Sequence, residues 1–149
     1  MHAVTYITRH RRWPARLGWG GEGLYSRFRW HRERSLPLVR RVLLVHPRLP
    51  EAFDGLTVAQ VSDVHAGQFM TPDRLEKVRA LVCRLAPDMI VFTGDQLDRR
   101  PVDAELFVQA FAGLSAPLGV YGILGNHDYL AGRELAVAAL EAAGITPLV

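Results

Sequence analysis

The sequence of 149 residues contains one cysteine, Cys83, so no disulfide can form within the chain. It has no uninterrupted apolar stretch near the roughly 18 residues that a membrane-spanning helix needs. The arginines near its start precede no apolar segment of the kind found in secretory signals, which argues against secretion. These absences predict a reduced, packed thiol in a cytoplasmic protein, with peripheral attachment at the inner face of the membrane as an alternative.

Positive charge is concentrated in the first third of the chain. Residues 1–50 hold eleven arginines against two glutamates, a balance of +9, whereas 51–149 hold seven basic residues against thirteen acids, a balance of −6. We interpret 1–35 as an irregular basic leader that also carries all three tryptophans. Its simplest interpretation is an extension without a specific partner. Arginines interleaved with aromatic residues over 9–34 also suit an anionic membrane surface, and basicity alone would suit nucleic acid.

The remainder, 36–149, has the pattern of one α/β domain. An edge strand is predicted at the start of 38–50, and short apolar runs at 56–62, 88–94 and 119–125 indicate buried strands. Helices are predicted between them, at 71–87 with Thr71 as N-cap, at 102–116 with Asp103 as cap, and at 132–144. A fourth strand begins at 145. This βαβαβα order predicts right-handed crossovers and a largely parallel sheet covered by helices.

Each of the three buried strands is followed by a polar cluster. One such cluster alone indicates no more than a polar loop, but the carboxyl ends of parallel strands share one edge of a sheet. Carboxylates crowded at that edge repel one another, and divalent cations relieve the repulsion. A mixture of carboxylate, imidazole and amide oxygen suits Mn, Fe or Zn. The clusters are Asp63-Val64-His65, Gly94-Asp95-Gln96-Leu97-Asp98 and Gly125-Asn126-His127-Asp128.

In this order D-x-H, G-D-x-x-D and G-N-H-D resemble the amino-terminal half of the calcineurin-like metallophosphoesterases. The resemblance covers 56–148, with 28 residues between His65 and Gly94 and 26 between Asp98 and Gly125. It implies a metal-dependent hydrolase and the first half of a four-layered α/β/β/α sandwich. The surrounding sequence is similar to a branch of bacterial, often membrane-attached phosphoesterases, some of which cleave the pyrophosphate of UDP-2,3-diacylglucosamine. A phosphate-ester substrate is therefore expected, with a lipid-linked nucleotide as one candidate.

The resemblance also implies roles for the metal ligands. Asp63 and His65 are expected to bind the first of two divalent ions, Asp95 to bridge both, and Asn126 to bind the second. Such a pair of ions generates a hydroxide that attacks phosphorus in line. Without a thiolate nearby, a purely structural zinc site is not favoured.

The remaining motif residues are expected to act around the ions. His127 contacts the phosphate and protonates the leaving alkoxide, and Asp128 holds its imidazole in the useful tautomer. Asp98 supports the network by hydrogen bonding without binding metal, and for both aspartates a role in stabilising the loops is the alternative. Gly94 and Gly125 let the backbone turn sharply between strand and ligand.

The sequence departs from the family pattern after His127. The family supplies further ligands from an isolated histidine and a later G-H-x-H, whereas no histidine follows His127 here and the sequence ends at "GITPLV". We therefore expect weak hydrolysis by this polypeptide and an exposed apolar sheet edge at its end. The alternative is a non-catalytic remnant or a module that binds membrane surfaces. Specific nucleic-acid binding is not expected, because the predicted site is acidic.

Overall fold

The computed structural model describes residues 3–7, 39–67 and 70–149. The elements alternate between strand and helix from β3 onward. The strands are β1 (Ala3–Ile7), β2 (Val39–Leu43), β3 (Val58–Val61), β4 (Met89–Thr93), β5 (Val120–Ile123) and β6 (Thr146–Pro147). The helices are α1 (Pro72–Leu85), α2 (Pro101–Phe111), α3 (Asn126–Ala131) and α4 (Arg133–Ala142), with a 3₁₀ turn at Glu51–Phe53.

The strands form one sheet in the order β2-β1-β3-β4-β5-β6. Every neighbouring pair is parallel except β1 and β2, which are antiparallel. This order confirms the predicted α/β class and the largely parallel sheet. The predicted edge strand is β2, and the predicted fourth strand of the regular alternation is the two-residue β6. None of the described helices is both long and apolar enough to cross a membrane.

β1 departs from the prediction for the start of the chain. We expected an irregular leader over 1–35, but Ala3–Ile7 pairs with β2 and β3. Strand formation depends on a partner that is distant in sequence, so local composition did not indicate it. The rest of that leader, including the whole 9–34 stretch considered for membrane binding, lies outside the described residues.

The core lies between one face of the sheet and three helices. The ring of Phe92 in β4 lies 5.6 Å from that of Phe107 and 5.2 Å from that of Phe111, both in α2. α1 and α4 each pack against α2, as expected when right-handed crossovers repeat in one direction. The described helices therefore all pack on the same face of the sheet. Alternate positions on the opposite face are half-buried: Val58, Gln60, Met89, Val91, Thr93 and Tyr121.

Two local predictions about the helices were wrong. α2 begins at Pro101, so Asp103 occupies its third position and not its N-cap. The side chain of Cys83 is exposed on α1 and not packed. The start of α1 matches the prediction, because Thr71 is its N-cap and Pro72 its first residue.

A polar contact joins β3 and β4 at the amino end of the sheet. The hydroxyl and the backbone N–H of Thr57 both donate to Oδ2 of Asp88, at 2.7 and 2.8 Å. The backbone N–H of Asp88 donates in return to the Thr57 hydroxyl at 3.1 Å. These bonds hold the pKa of the Asp88 carboxyl below its usual value.

Candidate metal centre

The polar clusters that follow β3, β4 and β5 lie together at the carboxyl end of the sheet. Backbone hydrogen bonds continue past the ends of β3 and β4: His65 N donates to Asp95 O at 2.9 Å, and Asp63 N donates to Gly94 O at 3.2 Å. The third cluster joins through His127, whose backbone N–H donates to Oδ1 of Asp95 at 2.9 Å. Asp95 therefore lies at the centre of the three loops.

The side chains of these loops come close enough to share a ligand. Nε2 of His65 lies 3.7 Å from Oδ2 of Asp95 and 4.0 Å from Oδ1 of Asp63. The imidazoles of His65 and His127 meet edge to face, with ring centroids 4.5 Å apart. Two imidazoles and two carboxylates thus surround one small volume at the sheet edge.

Three of these residues fit a divalent cation. Ligand atoms of His65, Asp95 and His127 all lie within 4.8 Å of one another, and all three side chains are half-buried. Two ligands on opposite sides of an ion, with bonds of about 2.1 Å, are separated by about 4.2 Å. A small contraction would bring the three atoms into bonding distance. Within the described part of the chain, no other set of three His, Cys, Asp or Glu residues has this geometry.

The backbone at the candidate ligands is unusual. Asp63 (φ +54°), His65 (φ +46°) and Asp95 (φ +55°) adopt the left-handed conformation. Of the described non-glycine residues, only Ala86 shares it. The conformation costs about 1–2 kcal/mol for most L-residues, and strain of this kind concentrates at functional sites. β3 therefore ends at Val61, and neither Asp63 nor His65 continues its extended backbone.

The two motif glycines are required for different reasons. Gly94 has φ +101°, and a Cβ there would lie 2.8 Å from the Cα of Gly125. Gly125 has φ −101°, which any residue can adopt. A Cβ at Gly125 would instead overlap Oδ1 and the backbone nitrogen of Asp95. The expected sharp turn holds for Gly94, whereas Gly125 permits close contact with the central carboxylate.

Asp98 lies against both imidazoles without belonging to the cluster of three ligands. Nδ1 of His127 lies 3.0 Å from the backbone oxygen of Asp98 and 3.4 Å from its Oδ1. Nδ1 of His65 lies 3.8 Å from the same carboxylate oxygen. Because a carbonyl oxygen only accepts, this contact requires the proton of neutral His127 to be on Nδ1.

The structure does not place the carboxylate of Asp128 against the imidazole of His127, where the resemblance implied it. Its carboxylate is fully buried and accepts hydrogen bonds from the backbone N–H groups of Leu97 at 2.9 Å and Gly125 at 2.8 Å. It thereby joins the loop after β4 to the loop after β5, which is the alternative role in loop stabilisation. Its position explains the difference: it lies in α3, a short helix that the sequence did not indicate, and points back to the helix start.

Burial shapes the charge of the centre. Burial lowers the pKa of His65, and the neighbouring His127 lowers it further, while Asp95, Asp63 and Asp98 oppose the shift. The neutral imidazole is therefore favoured, and that is the form that binds a metal. Burial also raises the pKa of Asp128, against the hydrogen bonds from Gly125 and Leu97.

The other two expected ligands are more exposed to solvent than the cluster of three. The side chain of Asp63 is 46% exposed, 4.0 Å from His65. Asn126 is exposed at the first position of α3, directly before His127. Sequence reasoning gave no role to Gln96, which is buried and donates from Nε2 to the carbonyl of Ile123 at 2.8 Å. Its place between two strand ends depends on the tertiary structure.

Comparison with known proteins points in the same direction. The family model described as calcineurin-like phosphoesterase matches residues 56–144. An uncharacterized metallophosphoesterase of Aquifex aeolicus is 32% identical over 126 residues, which are 85% of this chain and 46% of that protein. UDP-2,3-diacylglucosamine pyrophosphatase LpxG of Chlamydia muridarum is 46% identical over 87 residues, 55% of this chain and 26% of LpxG. The chain thus spans less than half the length of these relatives. No solved structure gives a significant match.

Proposed function

The chain belongs to the calcineurin-like phosphoesterase family, and we propose that the cluster of His65, Asp95 and His127 is the centre at which it hydrolyses phosphate esters. The observation that carries this proposal is the proximity of three side chains from three different loops. Their potential ligand atoms all lie within 4.8 Å of one another. The proposed metal ligands are Asp63, His65, Asp95 and Asn126, while His127 lies beside them as the residue that meets the substrate. Mn, Fe or Zn ions held by these residues would supply positive charge to stabilise the ester oxygens and to lower the pKa of water.

His127 is proposed to protonate the leaving group. Its Nδ1 faces the carbonyl of Asp98, which leaves Nε2 for the substrate. In the protonated imidazole, Nε2–H can donate to the departing alkoxide oxygen. The carboxylate of Asp98 lies 3.4 Å from Nδ1 of the same ring.

A metal titration separates hydrolysis from the non-catalytic alternative. Purified protein is titrated with Mn²⁺, and turnover of bis(p-nitrophenyl) phosphate is then followed. Close to two ions per chain and turnover that is lost in Asp95→Asn and His127→Asn support the proposal, with Asp73→Asn on α1 as a control. Turnover is expected to be weak, because the described residues offer one cluster of three ligands. No bound ion would favour a non-catalytic module.

A lipid-linked nucleotide pyrophosphate is the proposed substrate class. Support comes from LpxG of Chlamydia muridarum and of Chlamydia trachomatis, named UDP-2,3-diacylglucosamine pyrophosphatases, which are 46% and 41% identical to this chain over the matched residues. Release of UMP from UDP-2,3-diacylglucosamine, compared with the water-soluble UDP-N-acetylglucosamine, tests it. Equal rates on both would contradict a preference for the lipid-linked compound.

Attachment to an anionic membrane surface is the second proposal, at the edge of the sheet formed by β2. Residues 35–50 contain three arginines and no acidic residue. The side chain of Val45 in this segment is 68% exposed. Apolar side chains with arginines suit the interface of anionic lipids. Because β2 is antiparallel to β1, the residues that follow Leu43 lie at the amino end of the parallel strands, and the candidate centre lies at the opposite end of the sheet. The exposed apolar residues are Val42, Leu43, Leu44, Val45, Leu49 and Phe53.

Vesicle binding tests this attachment. Sedimentation with phosphatidylglycerol-containing vesicles, and not with pure phosphatidylcholine, is expected. The double variant Leu44→Ser/Val45→Ser should bind several-fold more weakly, whereas Val102→Ser/Leu118→Ser, which alters exposed apolar residues elsewhere, should bind normally. Equal binding by both double variants would remove the β2 edge from the proposal.

A further inference from the structure

The carboxylate of Asp103 is fully buried in the first turn of α2, although aspartate is seldom buried without a specific reason. Its Oδ2 accepts hydrogen bonds from the backbone N–H of Arg100 at 2.8 Å and of Arg99 at 3.1 Å. Its Oδ1 accepts from Nη2 of Arg100 at 3.1 Å. One side chain therefore holds the turn that follows Asp98.

The hydrogen bond from the Arg99 N–H to Asp103 is not part of the helix cap. A residue at the third helical position commonly accepts from the N–H of the N-cap, and here the N-cap is Arg100. Arg99 precedes the N-cap and lies outside the helix. Capping of α2 does not require its N–H to be held, so this second bond needs another explanation.

The peptide unit between Asp98 and Arg99 supplies that explanation. A trans peptide is planar, and its C=O and N–H point in opposite directions. Its N–H donates to Asp103, while its C=O lies 3.0 Å from Nδ1 of His127. A bond that fixes the direction of the N–H therefore also fixes the direction of the C=O. A buried carboxylate, a peptide plane and an imidazole thus form one chain of hydrogen bonds.

Asp103 also contacts the loop that carries the other imidazole. A Cβ on Gly67 would lie 3.0 Å from both Cγ and Oδ1 of Asp103, and Gly67 follows His65 by two residues. The same carboxylate therefore packs against the loop after β3 and holds the loop after β4.

We propose that Asp103 is a positioning residue, which orients the Asp98–Arg99 peptide so that its carbonyl keeps the proton of neutral His127 on Nδ1 and leaves Nε2 as the free nitrogen. Asp103 touches neither substrate nor metal, and acts through the peptide plane. Its value for hydrolysis rests on the proposed function, whereas the hydrogen-bonded chain itself does not.

Nuclear magnetic resonance of the metal-free, full chain tests the proposal at a pH where His127 is neutral. Two-bond ¹H–¹⁵N correlations identify which ring nitrogen carries the proton. The wild type is expected to show the Nδ1–H tautomer, at least tenfold over the other. Asp103→Ala should mix the tautomers, and Asp103→Asn should restore the wild-type pattern, because its carbonyl oxygen can still accept from both backbone groups.

Two controls separate positioning from general destabilisation. Glu105→Ala removes an exposed acid from the same helix, and Arg100→Gln removes only the guanidinium bond to Asp103. Both should keep the Nδ1–H tautomer. A folded Asp103→Ala protein that also keeps it would overturn the proposal.

Hydrogen exchange of the wild type tests the bond between the Arg99 amide and Asp103 even where Asp103→Ala fails to fold. Arg99 has an exposed side chain, yet its amide should exchange at least tenfold more slowly than an unprotected amide. Unprotected exchange at Arg99 would show that the bond to Asp103 is absent. Since neither measurement uses metal, a failure to bind Mn²⁺ would contradict the proposed function and leave these results standing.

Discussion

Nε2 of His65 lies 3.7 Å from Oδ2 of Asp95, although 29 residues separate the two in the chain. Both residues adopt left-handed backbone conformations. Parallel pairing of β3 and β4 brings their loops side by side, and the two strained turns aim both side chains at one point. A cluster with this geometry could hold a cation, and the first prediction tests whether it does.

Mn²⁺ should stabilise the folded protein through this centre. An ion that binds only the native state adds about 2.7 kcal/mol to the free energy of unfolding at a concentration of 100 times Kd. Thermal denaturation should therefore show a higher Tm with Mn²⁺, reversed by excess EDTA. Asp95→Asn should abolish the shift, while Asp73→Asn, an exposed acid on α1, should keep it. A shift of the same size in both variants would place the ion elsewhere.

Gly125→Ala should destabilise the protein strongly, because its Cβ would overlap Asp95. A loss of about 2–4 kcal/mol in urea denaturation is expected, since the backbone of Gly125 or the central carboxylate has to move. Gly113→Ala is the matched control: its φ is +75° and no atom lies within 4 Å of the added Cβ. That control should lose only about 1 kcal/mol, from backbone strain alone. Equal losses would mean that the close contact with Asp95 is unimportant.

Asp128→Ala should also be destabilising, since it leaves the N–H groups of Leu97 and Gly125 without their acceptor. Buried donors without partners cost about 1–3 kcal/mol each, so a total loss of about 2–4 kcal/mol is expected in urea denaturation. Asp128→Asn should recover part of this, because one acceptor oxygen remains. If Asp128→Ala instead left stability unchanged and altered only turnover, the carboxylate would be acting in catalysis after all.

The contact between Thr57 and Asp88 predicts a loss of stability in acid. Because the folded pKa of Asp88 lies below its usual value of about 4, the ionised carboxylate stabilises the native state above that value. The contribution is lost as the pH falls through the lowered folded pKa. Urea midpoints of the wild type and Asp88→Asn should therefore differ at pH 7 and converge near pH 2.

Asp73→Asn provides the comparison for this acid effect, because Asp73 is an exposed acid in the first turn of α1. Its urea midpoints are measured at the same two pH values as those of Asp88→Asn. A difference between the wild type and Asp88→Asn that is the same at pH 7 and at pH 2 would rule out an origin in the charge of Asp88.

The sequence alone determined the order of the elements from β3 onward and the family. Apolar runs and capping signals such as Thr71-Pro72 are local, and the motif residues follow strands whose ends must share an edge if they are parallel. The same reasoning predicts that Asp63, His65 and Asp95 lie together. It also identified the edge strand β2 and the final strand β6.

Only the tertiary structure decided how the motif residues divide their work. Asp98 and Asp128 look alike in sequence, yet one faces the imidazole of His127 and the other is buried against two backbone N–H groups. The local sequence pattern indicated neither β1 nor the hydrogen bond from the Arg99 N–H to Asp103. Periodicity reports which residues are apolar and how they repeat, whereas hydrogen bonds depend on angles and distances between segments that are far apart in the chain. Those distances are set when the sheet and its helices pack.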